Sequence, residues 1–151
     1  CVKYNRDGCF DESMSSFFRN VDRVTGQALS LEAGTRPIEQ LKARSLLVDM
    51  EDGPLNETLR SDIGGLFDAS MFVSDRYGAG NNWASGYYDY GNQHKDQIEE
   101  QLRVLMEECD SLLGFNILHS LGGGTGSGLG SFITQFIHEE VCQKSVGGSS
   151  S

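Results

Sequence analysis

Residues 122–128 read Gly-Gly-Gly-Thr-Gly-Ser-Gly and lie between a short apolar run and an amphipathic segment. The preceding run, Phe115-Asn116-Ile117-Leu118-His119-Ser120-Leu121, has the length of a buried strand, although periodicity alone also admits a short helix. Beyond the glycines, Leu129, Phe132, Ile133, Phe136, Ile137 and Val141 recur at three- and four-residue steps, which predicts a helix starting between Gly128 and Ser131. Thr125, Ser127 and Ser131 are candidate N-caps. A strand, a glycine loop and a helix N-terminus aim several backbone N–H groups at one point, where the helix dipole adds partial positive charge. Glycine there tolerates positive φ and lets phosphate oxygens approach the main chain. The arrangement predicts a nucleotide binder; the competing reading, a flexible Gly/Ser linker, fits poorly with such tight bracketing.

Two common phosphate motifs do not match. A P-loop requires Lys after Gly128, where Leu129 stands, and the G-x-G-x-x-G fingerprint finds no register among these glycines.

The rest of the chain supplies two further loops of the same kind. Ser45-Leu46-Leu47-Val48 reads as a strand ending at Asp49, followed by a helix with Pro54 in its first turn and Leu55 and Leu59 on one face, limited by Gly64-Gly65. Met71-Phe72-Val73 is a strand candidate that runs into Gly78-Ala79-Gly80-Asn81-Asn82, with Trp83 expected as a packing anchor behind that loop. Ile98, Leu102, Leu105 and Cys109 mark a helix whose glutamates face solvent. Residues 1–40 are less patterned: a short helix between Asp11 and Asn20 and a long irregular surface excursion are expected. Alternation of strand and helix predicts an α/β fold with a mainly parallel sheet, and in such sheets ligands bind at the carboxyl ends of the strands. The loops at 49–53, 78–82 and 122–128 each follow a strand candidate and are therefore expected to meet on one rim.

At 151 residues the chain has room for one core. A net charge of −10 argues against nucleic acid and anionic membrane as partners. Cys1, Cys9, Cys109 and Cys142 are scattered without C-x-x-C or Cys/His spacing, so reduced thiols are expected rather than a disulfide framework or a zinc site. No apolar stretch reaches transmembrane length, and a soluble, intracellular protein is expected. Because the first residue is Cys1, the chain is expected to be a piece of a longer one, with residues 1–142 a partial nucleotide-binding domain and 143–151 a low-complexity Gly/Ser tail.

Leu47-Val48-Asp49-Met50-Glu51, Gly78-Ala79-Gly80-Asn81-Asn82-Trp83-Ala84 and His119 to Gly130 resemble, in order and spacing, three nucleotide-loop motifs of the tubulin family. The resemblance covers most of residues 10–142 and implies a Rossmann-like, three-layer fold, incomplete at both ends. It lacks the family's first strand with its Gly-Gln-Cys-Gly-Asn-Gln loop. Ser15 to Asp22 and Leu41 to Arg44 look most like the epsilon branch, the divergent form associated with centrioles and basal bodies, with the delta branch less close; Asp52, where alpha and beta members carry proline, also favours a divergent member.

The resemblance implies GTP and Mg²⁺ as ligands. It assigns Ser120, Gly122, Gly123, Gly124, Thr125 and Gly126 to phosphate, with the Thr125 and Ser127 hydroxyls turned to the same task. Ala79, Gly80 and Asn81 form the loop that senses the terminal phosphate. Asp49 joins the nucleotide set, and Glu51 orients the metal through water. An ordinary acidic turn at Asp49–Glu51 and a plain turn at Asn81-Asn82 are the bland alternatives, and His119 is expected to be structural. The implied partners are other tubulin subunits in head-to-tail contact and centriolar or basal-body proteins, in the cytoplasm and cytoskeleton. In this family the acid that prompts hydrolysis comes from the next subunit, so no catalytic residue is expected within the chain. On the residues alone, a self-contained nucleotide-dependent enzyme and a protein-contact module without nucleotide both stay open.

Overall fold

In a computed structural model, residues 9–29, 35–109 and 111–142 are described. These described residues fall into two compact units, the first drawn from those up to 46 and from 56–72, the second from 47–55 and from 73 onward.

In the first unit, β1 (Cys9–Asp11) pairs antiparallel with β3 (Thr35–Pro37), and β2 (Phe18–Val21) pairs antiparallel with β4 (Gln40–Ala43), Arg19 lying opposite Lys42. The expected irregular excursion is thus organised, and the expected helix shrinks to α1 (Glu12–Ser15). Its physical origin is local. The Asp11 carboxylate accepts from the Met14 N–H and starts one turn, after which Phe18 to Val21 are claimed by strand pairing. Asp22 then closes a tight turn by accepting from the Val24 and Thr25 N–H groups. Buried Asn20 donates to the Pro37 carbonyl and accepts from the Glu39 N–H, fastening β2 to the connection between β3 and β4. Phe10, Val21 and Met71 are the buried apolar residues of this unit.

The second unit carries the strand–loop–helix repeats. β5 (Leu47–Asp49) pairs with β6 (Phe72–Ser74); β5 begins two residues, and β6 one residue, later than expected. Between them runs α2 (Asp52–Arg60), with Pro54 in its first turn, as its lack of an N–H favours. A long helix, α3 (Gly91–Glu107), follows a π-helical stretch at Ser85–Tyr90, and α4 (Gly130–Phe136) is flanked by π-helical stretches at Thr125–Leu129 and Ile137–Cys142. α3 starts seven residues before its first apolar marker, Ile98, because its buried face there uses Gly91 and His94, which an apolar count passes over. Met50, Val73, Ile98, Leu102 and Leu129 form the interior of this unit.

The third expected strand differs. Residues 112–120 form no ladder among the described residues. Leu118 is 90% and Leu121 91% exposed, while Phe115 and Ile117 are half-buried, so only alternate side chains turn inward. Alternation specifies an extended chain; a strand additionally needs a partner ladder, which a run of side chains cannot supply.

Candidate functional site

The site is built where the three loops leave their elements. Gly78 donates its N–H to the Met50 carbonyl at 2.8 Å, joining the turn after β5 to the turn after β6. A Cβ on Gly78 would stand 2.8 Å from Glu51 Oε1, so the carboxylate lies against the Gly78 backbone. A Cβ on Gly124 would lie 2.4 Å from the Ala79 Cβ and 2.7 Å from the Ala79 carbonyl oxygen. A Cβ on Gly123 would be 3.7 Å from Asn81 Oδ1. Glu51, Gly78, Ala79, Asn81, Gly123 and Gly124 therefore share one rim. Ala79 and Gly124 are buried there, whereas Glu51, Gly80, Asn81, Gly122 and Gly123 are exposed.

Glycine is required at two kinds of position. Gly78 (φ +64°), Gly80 (φ +56°) and Gly123 (φ +79°) occupy the left-handed region, and Asn81 joins them at φ +55°, the residue type apart from glycine that tolerates it best. Gly86, Gly124 and Gly128 instead permit contact. A Cβ on Gly86 would lie 2.1 Å from the Gly124 carbonyl oxygen and one on Gly128 2.2 Å from that of Trp83, so the two π-helical stretches meet backbone to backbone.

The helical segment that begins at Thr125 has no side-chain cap. Gly124 stands at the cap position, and the first hydrogen bond into the helix is Gly128 N–H to Gly124 carbonyl at 2.8 Å. The three expected caps are thereby corrected. The Ser127 hydroxyl is buried and donates to the Gly123 carbonyl, and Ser131 donates to the Ser127 carbonyl, so neither serves the helix start. Ser127 is accordingly committed to bracing the loop and not turned toward a ligand. Ser120 likewise donates to the Gly122 carbonyl at 2.6 Å, and its hydroxyl occupies the space a Cβ on Gly126 would need. Uncapped amides at a helix start have donors to offer an anion.

Two acidic residues divide their work. Asp49 is half-buried and accepts from the Glu51 N–H at 3.3 Å, the closed acidic turn named as the bland reading. Glu51 is exposed, and its carboxylate has no hydrogen-bond partner among the described residues. No group of three or more His, Cys, Asp or Glu side chains suited to a metal occurs among the described residues. A single exposed carboxylate beside a rim of backbone amides nevertheless fits Mg²⁺, which takes one or two carboxylates plus ligand oxygens and keeps several waters.

Neighbouring side chains follow their expected roles in part. His119 Nδ1 is 2.9 Å from the Gly126 carbonyl and packs under Gly130, consistent with a structural histidine. Trp83 stacks on Tyr87 with centroids 4.8 Å apart, but remains 44% exposed; its backbone, rather than its ring, packs behind the glycine loop. Sequence reasoning missed Tyr90, whose hydroxyl donates to the Gly78 carbonyl at 3.0 Å, and Gly86. The Gly86 signal was present, since a glycine inside a helical stretch marks a close backbone approach; nothing in sequence marks Tyr90.

The comparison with known families decides the lineage: residues 3–149 match the Tubulin/FtsZ family, GTPase domain. The chain belongs to that family. Its fold is the Rossmann-like α/β fold of tubulin GTPase domains, here incomplete. Within the family, the chain is 47% identical over 90% of its length to the tubulin epsilon chain of Homo sapiens and 46% identical over 90% to that of Mus musculus. It is 46% identical over 64% of its length to the tubulin beta-1 chain of Homo sapiens. The chain spans 28% of the length of the two tubulin epsilon chains. Among the described residues no helix is long and apolar enough to cross a membrane.

Proposed function

We propose that this chain is the phosphate-gripping part of a GTP-binding, tubulin-type cytoskeletal subunit. The observation that carries this reading is the contact of Ala79 with Gly124, flanked by Asn81 beside Gly123 and Glu51 beside Gly78. The amides at Gly122, Gly123, Gly124, Thr125 and Gly126, with Ser120 bracing the loop, hold the inner phosphates. Ala79, Gly80 and Asn81 meet the terminal phosphate. Glu51 holds Mg²⁺ through water while Asp49 keeps the turn closed. Bound Mg²⁺ neutralises phosphate charge that an acidic protein of net charge −10 would otherwise repel. Catalytic acid is supplied by the next subunit in a head-to-tail assembly, so the chain alone turns over no GTP.

The stronger match to tubulin epsilon chains than to a beta chain supports the epsilon-type reading. On that reading the partners are other tubulin subunits and centriolar or basal-body proteins, and the location is the cytoskeleton at the centrosome, centriole or basal body. Displacement of a fluorescent GTP analogue in Mg²⁺ by GTP, ATP and NAD tests the function. GTP is expected to compete at the lowest concentration. Equal competition by ATP would favour a self-contained nucleotide enzyme, and no competitor binding at all would favour a protein-contact module.

A further inference from the structure

The turn from Gly78 to Asn81 passes through the left-handed region at Gly78, Gly80 and Asn81; the glycines enter it freely, whereas Asn81 holds it at a cost that restraint of the turn must offset. Two ties from one turn of α3 and the stretch before it supply that restraint. The Tyr90 hydroxyl donates to the Gly78 carbonyl at 3.0 Å. Three residues earlier on the same connection, Asp75 Oδ2 accepts from Gln93 Nε2 at 2.8 Å and lies 3.2 Å from His94 Nε2. Asp75 Oδ1 meanwhile accepts from the Arg76 N–H at 2.6 Å, so the carboxylate is engaged on both oxygens. His94 is buried and its ring lies parallel to that of Tyr90, the planes 11° apart and the centroids separated by 6.1 Å. Gln97 Oε1 is 3.4 Å from its other ring nitrogen. The imidazole thus has Asp75 at one ring nitrogen, Gln97 at the other and the Tyr90 ring parallel to it.

We propose that Tyr90 and His94 are positioning residues for the Gly78–Asn81 turn, with Asp75 as their anchor, and that this tie sets how well the turn receives a terminal phosphate. The ligand half rests on the reading of this rim as a GTP site; the positioning half does not. The tie is selective by geometry. Among the described residues its hydrogen bonds reach the connection after β6, while the glycine loop at Gly122–Gly126, though it packs on Ala79, has hydrogen bonds of its own from Ser120, Ser127 and His119. Loosening the tie therefore lowers affinity for a nucleotide that reaches Ala79–Asn81 and spares one that stops at the glycine loop. A Tyr or His that only filled space would show no such discrimination.

The test uses the full 151-residue chain with Tyr90→Phe, His94→Leu and His94→Gln. Hydrogen exchange of the amides at residues 79–82 is read without nucleotide, and affinities for Mg-GTP and Mg-GDP are read by displacement of a fluorescent analogue. Tyr90→Phe is expected to speed exchange in the turn by roughly fivefold, the equivalent of one hydrogen bond, with the amides of α3 unchanged. It is expected to weaken Mg-GTP by a similar factor while Mg-GDP stays within about twofold. His94→Leu is expected to act in the same direction. His94→Gln, which keeps a donor for Asp75, is expected to lie nearer the parent. Unchanged exchange in Tyr90→Phe and His94→Leu would overturn the proposal whatever the nucleotide data show. Faster exchange with equal losses of GTP and GDP affinity would overturn its ligand half. Faster exchange in a chain that binds neither nucleotide would uphold the tie and sink the GTP reading. Should His94→Leu fail to fold, Tyr90→Phe, which removes one oxygen, decides alone.

Discussion

Gly124 and Ala79 touch so closely that a methyl group added to Gly124 would overlap the Ala79 methyl at 2.4 Å and its carbonyl oxygen at 2.7 Å. The pair joins loops 45 residues apart in sequence, counted from 79 to 124. It brings the amides of the glycine loop beside the turn after β6, and the strongest predictions concern it.

Gly124→Ala is expected to push the two loops apart, since the atoms in the way include backbone that has no rotamer to yield. Overpacking of this kind costs about 1–3 kcal/mol. Chemical denaturation should show that loss, and displacement of a fluorescent GTP analogue should show at least a tenfold drop in affinity. Parent-like affinity would separate the loop contact from phosphate binding.

Asn81 combines a left-handed backbone with a side-chain amide on the rim. Asn81→Gly keeps the backbone conformation and removes the amide, whereas Asn81→Asp keeps size and adds a negative charge. Weaker GTP binding is expected in both, with Asp the more severe through repulsion of phosphate. Folding stability should change by less than about 1 kcal/mol in the glycine variant. Equal affinities of parent and glycine variant would reduce the Asn81 role to backbone shape.

Glu51 has an exposed carboxylate with no protein partner among the described residues, so Glu51→Ala should leave folding almost untouched, within about 0.5 kcal/mol. Titration of Mg²⁺ against a fluorescent nucleotide is expected to lose its dependence in this variant. A dependence identical to that of the parent would remove Glu51 from the metal.

Asp75 titrates below the ordinary aspartate range, chiefly because the Arg76 N–H donates to its carboxylate, against a smaller opposing effect of burial and with help from His94 and Gln93. A depressed folded-state pKa contributes stability that is fully present above the unfolded-state value and is lost as pH falls through the folded-state value. The tie between β6 and α3 is therefore expected to loosen only below about pH 4, read as faster exchange at Gly78 and Ala79. Asp75→Asn should abolish that pH dependence.

Ile98 and Leu118 look alike on an apolar count, yet Ile98 is 0% and Leu118 90% exposed. Ile98→Ala is expected to cost about 2–5 kcal/mol by opening a cavity, and Leu118→Ala no more than about 0.5 kcal/mol. Thermal unfolding of the two variants checks the contrast.

Much of the site was legible before any coordinates. Left-handed or crowded glycines leave their mark in residue identity, and two such clusters, at 78–80 and 122–128, together with the acidic turn at 49–51, each after a strand candidate, announced a shared rim. Periodicity likewise exposed the second half of α3 and the course of α4. Illegible parts were those in which a polar residue does a buried job. Gly91 and His94 concealed the first half of α3, and Asn20 concealed the ordering of the N-terminal pairs. Serine hydroxyls offered to a ligand on paper were committed to loop carbonyls, since a hydroxyl near an open carbonyl will bond it whatever else the motif suggests.

Residue identity by itself determined where the backbone can bend, the apolar stripes of the second half of α3 and of α4, and which family the three motifs resemble, because these depend on φ freedom and on spacing along one chain. Only the tertiary structure decided that Tyr90 holds Gly78, that Asp49 closes its own turn while Glu51 stays free, and that residues 112–120 lack a ladder among the described residues. Those outcomes depend on which groups from distant positions arrive within hydrogen-bond reach, and distance in space is not written in spacing along a chain.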